Sequence, residues 1–240
     1  MREKTMLIDL HTAAPHLDPA VADRAARAYT CEAQHSSRLL VADMSQTSTD
    51  RRLWVFDLRD PSRPVLIERT RVAHGAGSDP RKTGIPESFG NRKESGMTSL
   101  GLYRVAEPYI GVHGKSYILD GLTPGFDDQA RARSVVLHPA PYVRESGSVG
   151  RSLGCPAISP EVFSRLDKQG ALQGALLWVD GPDPALADAA SLRCAAALLE
   201  PPVCRRQDSN TWGSAPVSIS WQWAGAATAA LAQEATPWKS

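Results

Sequence analysis

The feature that most restricts the fold is a series of short apolar segments broken by polar, glycine and proline turns. Arg38 to Asp43 and Arg52 to Leu58 read as strands, with the polar turn Ser45-Gln46-Thr47-Ser48-Thr49-Asp50 between them. Val65 to Val72 continues the pattern around Pro61 and Pro64. Ser99 to Val105, Tyr109 to Leu119, Ser134 to His138 and Ala175 to Val179 extend it. Successive strands with little helix between them argue against a doubly wound parallel sheet and predict a mainly β fold. The 18 glycines and 18 prolines fit a chain with that many turns.

The expected helices are few. Asp18-Pro19 is a cap and first helical residue, and Val21, Ala25, Ala28 and Tyr29 then share one face to about Gln34. Ser159-Pro160-Glu161 is a second start of the same kind. It leads into Val162, Phe163 and Leu166, with Gly170 as the stop. Gln129 to Arg133 reads as one helical turn, Pro124-Gly125 as a turn, and Pro184 to Leu199 as an Ala/Leu-rich helix. Trp221-Gln222-Trp223 is a possible strand. Trp54, Trp178 and the other tryptophans are expected in the core rather than on a sugar-binding platform. The stretch from Ala76 to Gly96 lacks apolar periodicity. So long a run inside a compact domain is usually a functional loop or disorder, and a substrate-side loop is the expectation.

The chemistry concentrates in Gly150-Arg151-Ser152-Leu153-Gly154-Cys155-Pro156-Ala157-Ile158, with His138 on the strand upstream. A thiolate is a nucleophile, and a neighbouring imidazole can take its proton and return it to a leaving amine. Gly154 permits a sharp turn that would aim the Gly154 and Cys155 N–H groups at one point, as an oxyanion site requires. The helix start after Cys155 would also favour the thiolate. Against this, a cysteine is often a small buried hydrophobe and a strand histidine structural, and sequence spacing alone leaves both readings open. His74, His113, His138 and Cys155 are types that bind zinc, but none has the short local spacing of a zinc motif. No metal and no cofactor are expected.

With 27 basic and 26 acidic side chains the formal net charge is +1, which offers no electrostatic footprint for nucleic acid. No segment approaches the ~20 apolar residues of a membrane span. Four cysteines are few for a disulfide scaffold. Cys31 falls in the first helix and reads as core. Cys194 and Cys204 could close a small loop or stand as separate thiols.

Several pieces, in order, resemble one known family. They are Val72-Ala73-His74-Gly75, Ser88-Phe89-Gly90-Asn91, Ser99-Leu100-Gly101, His113-Gly114 and Leu119-Asp120-Gly121-Leu122. Ala130-Arg131-Ala132-Arg133, Val135-Val136-Leu137-His138 and the Gly150 to Ala157 stretch complete the set. The segment Arg69 to Asp180 resembles the catalytic domain of murein L,D-transpeptidases, more narrowly the divergent branch of the YkuD-like superfamily. Commoner members carry His-Gly-Cys, where this chain has Leu153-Gly154-Cys155, and Pro156-Ala157 follow the cysteine.

The resemblance implies a YkuD-like β-sandwich or barrel with a few short helices. It implies a helical lead-in over 1–37, a catalytic domain over 38–182 and an extension over 183–240. It implies Cys155 as nucleophile, His138 as base and Gly154 in the oxyanion loop, acting on peptidoglycan stem peptides: a donor tetrapeptide and an acceptor stem. It also implies acylation by carbapenems. Arginine grips carboxylates in bidentate fashion, and the stems carry carboxylates on D-centres, which makes Arg133 and Arg151 candidate substrate contacts. Ion pairs with Asp120 or Asp128 are the competing reading. Ser152, His113 and His74 complete the expected substrate-binding set, although Ser152 could equally shape its loop and the histidines could serve strand ends. Such an enzyme works in the periplasm or cell envelope. Met1 to Leu10 lacks an export signal's apolar run, so a trimmed or recombinant mature chain is expected. The acceptor, another stem or water, and the oligomeric state are not legible.

Overall fold

The computed structural model describes residues 8–32 and 36–186. Its first elements are helical: α1 (Leu10–Ala13) and α2 (Pro19–Glu32). The Asp18 carboxylate accepts from the N–H groups of Ala20 and Val21 at 2.8 and 3.2 Å, the capping that the Asp-Pro pair predicts. α2 buries Val21, Ala22, Ala25, Ala26, Ala28 and Tyr29, and the four alanines let the helix lie close on the sheet.

That sheet has eight strands: β1 (Arg38–Asp43), β2 (Leu53–Asp57), β3 (Val65–Thr70), β4 (Gly101–Gly111), β5 (Gly114–Gly121), β6 (Val136–Pro139), β7 (Ala157–Ile158) and β8 (Leu176–Asp180). Their spatial order is β3-β2-β1-β8-β4-β5-β6-β7. The pairs β1–β8 and β6–β7 are parallel and the others antiparallel. Two bridges then join the ends of this order. Ala73, just past β3, pairs with Ala157 of β7, and Gly75 pairs with Ser152. The sheet is therefore curled almost to a barrel, which decides between the two expected forms and leaves little open edge. β2 and β8 are buried along their whole length, as continuous apolar strands covered on both faces must be. Trp54 and Trp178 are fully buried in that core. α3 (Pro160–Lys168), capped by Ser159 Oγ accepting from Val162 N–H at 3.3 Å, adds Val162, Phe163 and Leu166.

Three expectations need correction. The break expected between Val105 and Tyr109 is a bulge within one strand, at Ala106-Glu107 just before Pro108, which has no N–H to give the ladder. The strand expected from Tyr109 to Leu119 is instead interrupted by a hairpin turn at Val112-His113, between the paired Gly111 and Gly114. Cys31 is not a core thiol: it is partly exposed and disulfide-bonded. The Cys194–Cys204 pairing, the Trp221–Trp223 strand and the expected 184–199 helix beyond Leu186 lie outside the described residues.

One buried carboxylate ties the helical lead-in to the sheet. Asp180, at the end of β8, accepts from Arg24 of α2 in bidentate fashion, Nε at 2.9 Å and Nη2 at 2.8 Å. It also accepts from Trp178 Nε1–H at 2.7 Å. Removing it strands an indole N–H and a largely buried guanidinium. Asp180→Ala should lower stability by about 3 kcal/mol in urea unfolding. An effect below about 0.5 kcal/mol would place α2's anchorage elsewhere.

Candidate active site

The cysteine loop is held from below by backbone. Ser152 N–H donates to the His74 carbonyl at 3.0 Å, and Ala76 N–H to the Ser152 carbonyl at 2.8 Å. Gly75 lies between them. A Cβ there would stand 2.3 Å from the Gly96 oxygen and 2.8 Å from Gly154 Cα, which is why a glycine follows His74. Ser152 shapes the turn: its hydroxyl donates to the Cys155 carbonyl at 2.6 Å and accepts from Gly154 N–H at 3.1 Å. Gly154 has φ +123°, and a Cβ on it would meet the Met97 oxygen at 2.7 Å. The expected pair of oxyanion donors is thus corrected. Gly154 N–H is committed to Ser152, and of the two only Cys155 N–H is unused among the described residues.

From this loop the chain runs along the edge of β6. Val136 N–H donates to Cys155 Sγ at 3.4 Å, and His138 N–H to the Pro156 carbonyl at 3.3 Å. Cys155 is therefore level with Val136, two residues from His138 and about 7 Å along the strand. On its other side Sγ faces the Ser134 carbonyl at 3.8 Å. Ser134 holds φ +57°, a left-handed conformation that a serine adopts at some cost. Sγ bonds these two backbone groups rather than the imidazole.

His138 is almost wholly buried. Its Nδ1 lies 3.1 Å from the Pro139 carbonyl oxygen. A carbonyl only accepts, so Nδ1 carries the proton and Nε2 keeps a free lone pair. Burial pushes the imidazole's pKa down to about 4, with a smaller contribution from His113, so the ring is neutral at pH 7. Burial also raises the Cys155 thiol, against the lowering influence of Val136 N–H and the Arg133 charge. The net effect is opposite to the lowering expected from the following helix, from which β7 separates the thiol. His113 reaches this corner from the β4–β5 turn. Its ring stacks on that of His138, with centroids 4.1 Å apart and planes 20° from parallel.

The other expected contacts lie around this pair in supporting positions. Arg133 gives its donors to the carbonyls of Gly90 at 2.9 Å and Met97 at 2.6 Å and to Ser99 Oγ at 3.1 Å. It stitches the 90–99 segment beside the thiol. Arg151 donates to the carbonyls of Asp79 and Ala76. Neither arginine pairs with the expected acids: Asp120 binds Arg131, and Asp128 accepts from Asn91. His74 is fully buried. Its Nδ1 accepts from Arg52 at 2.7 Å and its Nε2 faces Asp79 at 3.4 Å. Burial and the Arg52 charge lower its pKa to about 4. It underpins the Ser152 loop and does not reach solvent, which corrects its place among substrate contacts.

The loop from Ala76 to Gly96 has hydrogen-bonded order without strands. Gly77 N–H donates to the Gly96 carbonyl at 2.9 Å, and Asp79 accepts from Thr83 and Gly84 N–H at 2.9 and 2.8 Å. Sequence reasoning did not single out Val136 N–H and the carbonyls of Ser134 and Pro139, because backbone groups leave no mark on residue type. Tyr109 and Tyr142, each close enough to feel the Cys155 charge, were missed as well. The glycines at 111 and 150 are their one signal. A Cβ at either would strike a tyrosine ring, at 2.5 Å for Tyr109 and 2.8 Å for Tyr142. Among the described residues, no three His, Cys, Asp or Glu side chains are grouped to hold a metal.

Comparison with known proteins bears on this geometry. A family model described as the L,D-transpeptidase catalytic domain matches residues 13–178. No curated protein matches the chain. Among solved structures, an L,D-transpeptidase from Mycobacterium smegmatis is 15% identical, with 60% of this chain and 58% of that one covered and a TM-score of 0.36. The helical cell shape determining protein Pgp2 from Campylobacter jejuni is 11% identical, with coverages of 68% and 55% and a TM-score of 0.43. Bd1075 from Bdellovibrio bacteriovorus is 16% identical, with coverages of 70% and 57% and a TM-score of 0.40. The chain spans less than two thirds of the length of each of these. With the family model covering more than half of its residues, the chain belongs to the L,D-transpeptidase catalytic domain family.

Proposed function

We propose that this protein is a cysteine-dependent L,D-transpeptidase acting on peptidoglycan stem peptides. The observation that carries the reading is the His138 tautomer. With Nδ1–H committed to Pro139, a neutral imidazole offers Nε2 as a proton acceptor two strand positions from a neutral thiol. Catalytic hydrogen bonds are often long or unformed before substrate binds, and here proton transfer requires Sγ to leave its backbone partners and the two side chains to come together.

In the first half-reaction the S–H proton moves to His138 Nε2 as sulfur attacks the carbonyl on the L-centre of diaminopimelate. Cys155 N–H supports the developing oxyanion. The tetrahedral species collapses, the C–N bond breaks, and D-alanine leaves with the proton from Nε2. In the second half-reaction an acceptor amine gives its proton to Nε2 and attacks the thioester; the C–S bond breaks and the Nε2 proton passes to the leaving sulfur, restoring the neutral thiol and imidazole. The Arg133 charge stabilises the sulfur anion in both. Water as acceptor would make the same residues an L,D-carboxypeptidase.

On this reading residues 38–182 are the catalytic unit, 1–37 its helical lead-in and 183–240 an extension. The substrate places the protein in the cell envelope, reached by export. Among the described residues no helix is long and apolar enough to cross a membrane.

Intact mass after incubation with purified disaccharide-tetrapeptide, for wild type and Cys155→Ala, tests the proposal. An acyl adduct on wild type alone, with released D-alanine and dimeric muropeptides, is expected. Tripeptide without dimers would assign water as acceptor. A folded protein that forms neither adduct nor product, and is also inert to carbapenem, would sink the catalytic reading in favour of a wall-binding module.

The electrostatics make a second prediction. A thiol raised by burial stays protonated at neutral pH, so Cys155 alkylation by iodoacetamide should be slow at pH 7 and climb above pH 9. The acid limb of turnover should fall as pH drops through about 4, where His138 becomes protonated and ceases to be a base. A thiol fully reactive at pH 6 would contradict the assignment.

A further inference from the structure

We propose that His113 is a positioning residue for the catalytic imidazole: from the β4–β5 turn it holds the His138 ring by face-to-face stacking and keeps water off it. The inference rests on the reading of Cys155 and His138 as nucleophile and base.

The geometry separates this role from others an imidazole could play. With the rings 4.1 Å apart and 20° from parallel, each presents a face to the other. Imidazole N–H groups and lone pairs lie in the ring plane, so no hydrogen bond joins the two, and His113 is not a proton relay to His138. The stack and the Pro139 bond do complementary work. The in-plane bond from Nδ1–H fixes which edge of His138 points outward but leaves the ring free to tilt about the Nδ1···O axis. A ring packed flat on the imidazole face removes that tilt and fixes where the Nε2 lone pair points.

The turn that carries His113 is itself built for a definite position. Val112 and His113 are its two central residues, Gly111 pairs with Gly114, and Gly114 takes φ +74°. The neighbouring apolar side chains point away: Ile110 is 79% exposed and Val112 80%. His113 is exposed as well, but it lays one ring face on His138, which is only 2% exposed although it lies beside a solvent-facing turn. The titratable groups at this corner are His113 and Cys155. Arg133 acts on the sulfur, and the charge of the sulfur in turn reaches Tyr103, Tyr109 and Tyr142. His113 is the one stacked on the base.

The test compares His113→Ala with His113→Phe, which keeps an aromatic face without the ring nitrogens. The His138 imidazole is titrated by NMR, Cys155 alkylation is followed against pH, and kcat and KM are measured on disaccharide-tetrapeptide. His113→Ala admits water to His138, so its titration should rise by about one unit or more toward the ordinary 6.5. In the same variant kcat should fall about tenfold while KM changes by less than about twofold. His113→Phe should keep the low titration and most of kcat. A raised KM with an unshifted His138 titration in His113→Ala would make His113 a substrate contact and overturn the proposal. So would a His113→Phe protein as impaired as His113→Ala. Titration and alkylation need no substrate, so a chain that fails to cross-link stems still tests the stacking role. Urea unfolding of both variants confirms that the exposed turn tolerates the change.

Discussion

The close approach of three backbone segments at Gly75 is the constraint on which the site depends. A side chain there would overlap the Gly96 carbonyl, Gly154 Cα and Thr98 N, at 2.3, 2.8 and 2.9 Å from its first carbon. The same neighbourhood holds the Ala73–Ala157 and Gly75–Ser152 bridges that bring the two ends of the sheet together. Curling the sheet in this way pairs edge groups that water would otherwise have to satisfy, and it presses the cysteine loop against β6. Fold closure and the placing of the thiol are one event in this chain. A perturbation of the 72–76 segment acts on both.

Around that junction the protein uses buried polar chains with defined partners. Arg52 donates to the carbonyls of Val72 and Gln46 and to His74, and His74 in turn faces Asp79. Burial lowers Arg52 to about 10, yet it remains the cation of the set at neutral pH. Arg133 does the corresponding work on the other side, spending its donors on the 90–99 segment while its charge reaches the sulfur. Such charges are costly to bury and are tolerated because most of their donors find carbonyl, hydroxyl or imidazole partners. The consequence for chemistry is a resting site in which both proposed reacting groups are neutral. The ion pair forms only as the proton moves, in a place where a guanidinium already favours the anion.

Much of the fold was legible from residue order. The β1 limits agree with the strand read over Arg38–Asp43. Both proline-led helix starts are where Asp18 and Ser159 put them. These signals are local: a cap, a fixed proline φ and an alternating or continuous apolar run each act within a few residues. The misplaced break near Pro108 and the overlooked hairpin at Val112-His113 show where local reading stops. A proline can sit in a long strand if a bulge takes it, and a two-residue turn flanked by glycines looks like strand when its neighbours are β-branched. Around the thiol, residue types identified the participants but not their tasks. Arg133 read as a substrate contact, and its donors are spent largely on the protein's own backbone, while Ser152, read either as a contact or as a shaper of its loop, serves the loop.

By itself the sequence determined the class of the fold, the few helices and their caps, the glycines that close contacts demand and the thiol and imidazole that could react. The tertiary structure alone decided that the sheet curls to near closure and that Gly154 N–H serves Ser152. It also decided that the Pro139 carbonyl selects the His138 tautomer and that His113 lies flat against that ring. The reason is physical. Caps, turns and strand alternation are set by dihedral preferences and neighbours along the chain. Hydrogen-bond partners, ring contacts and desolvation are set by distances between segments remote in sequence, and no spacing of letters encodes a distance through space.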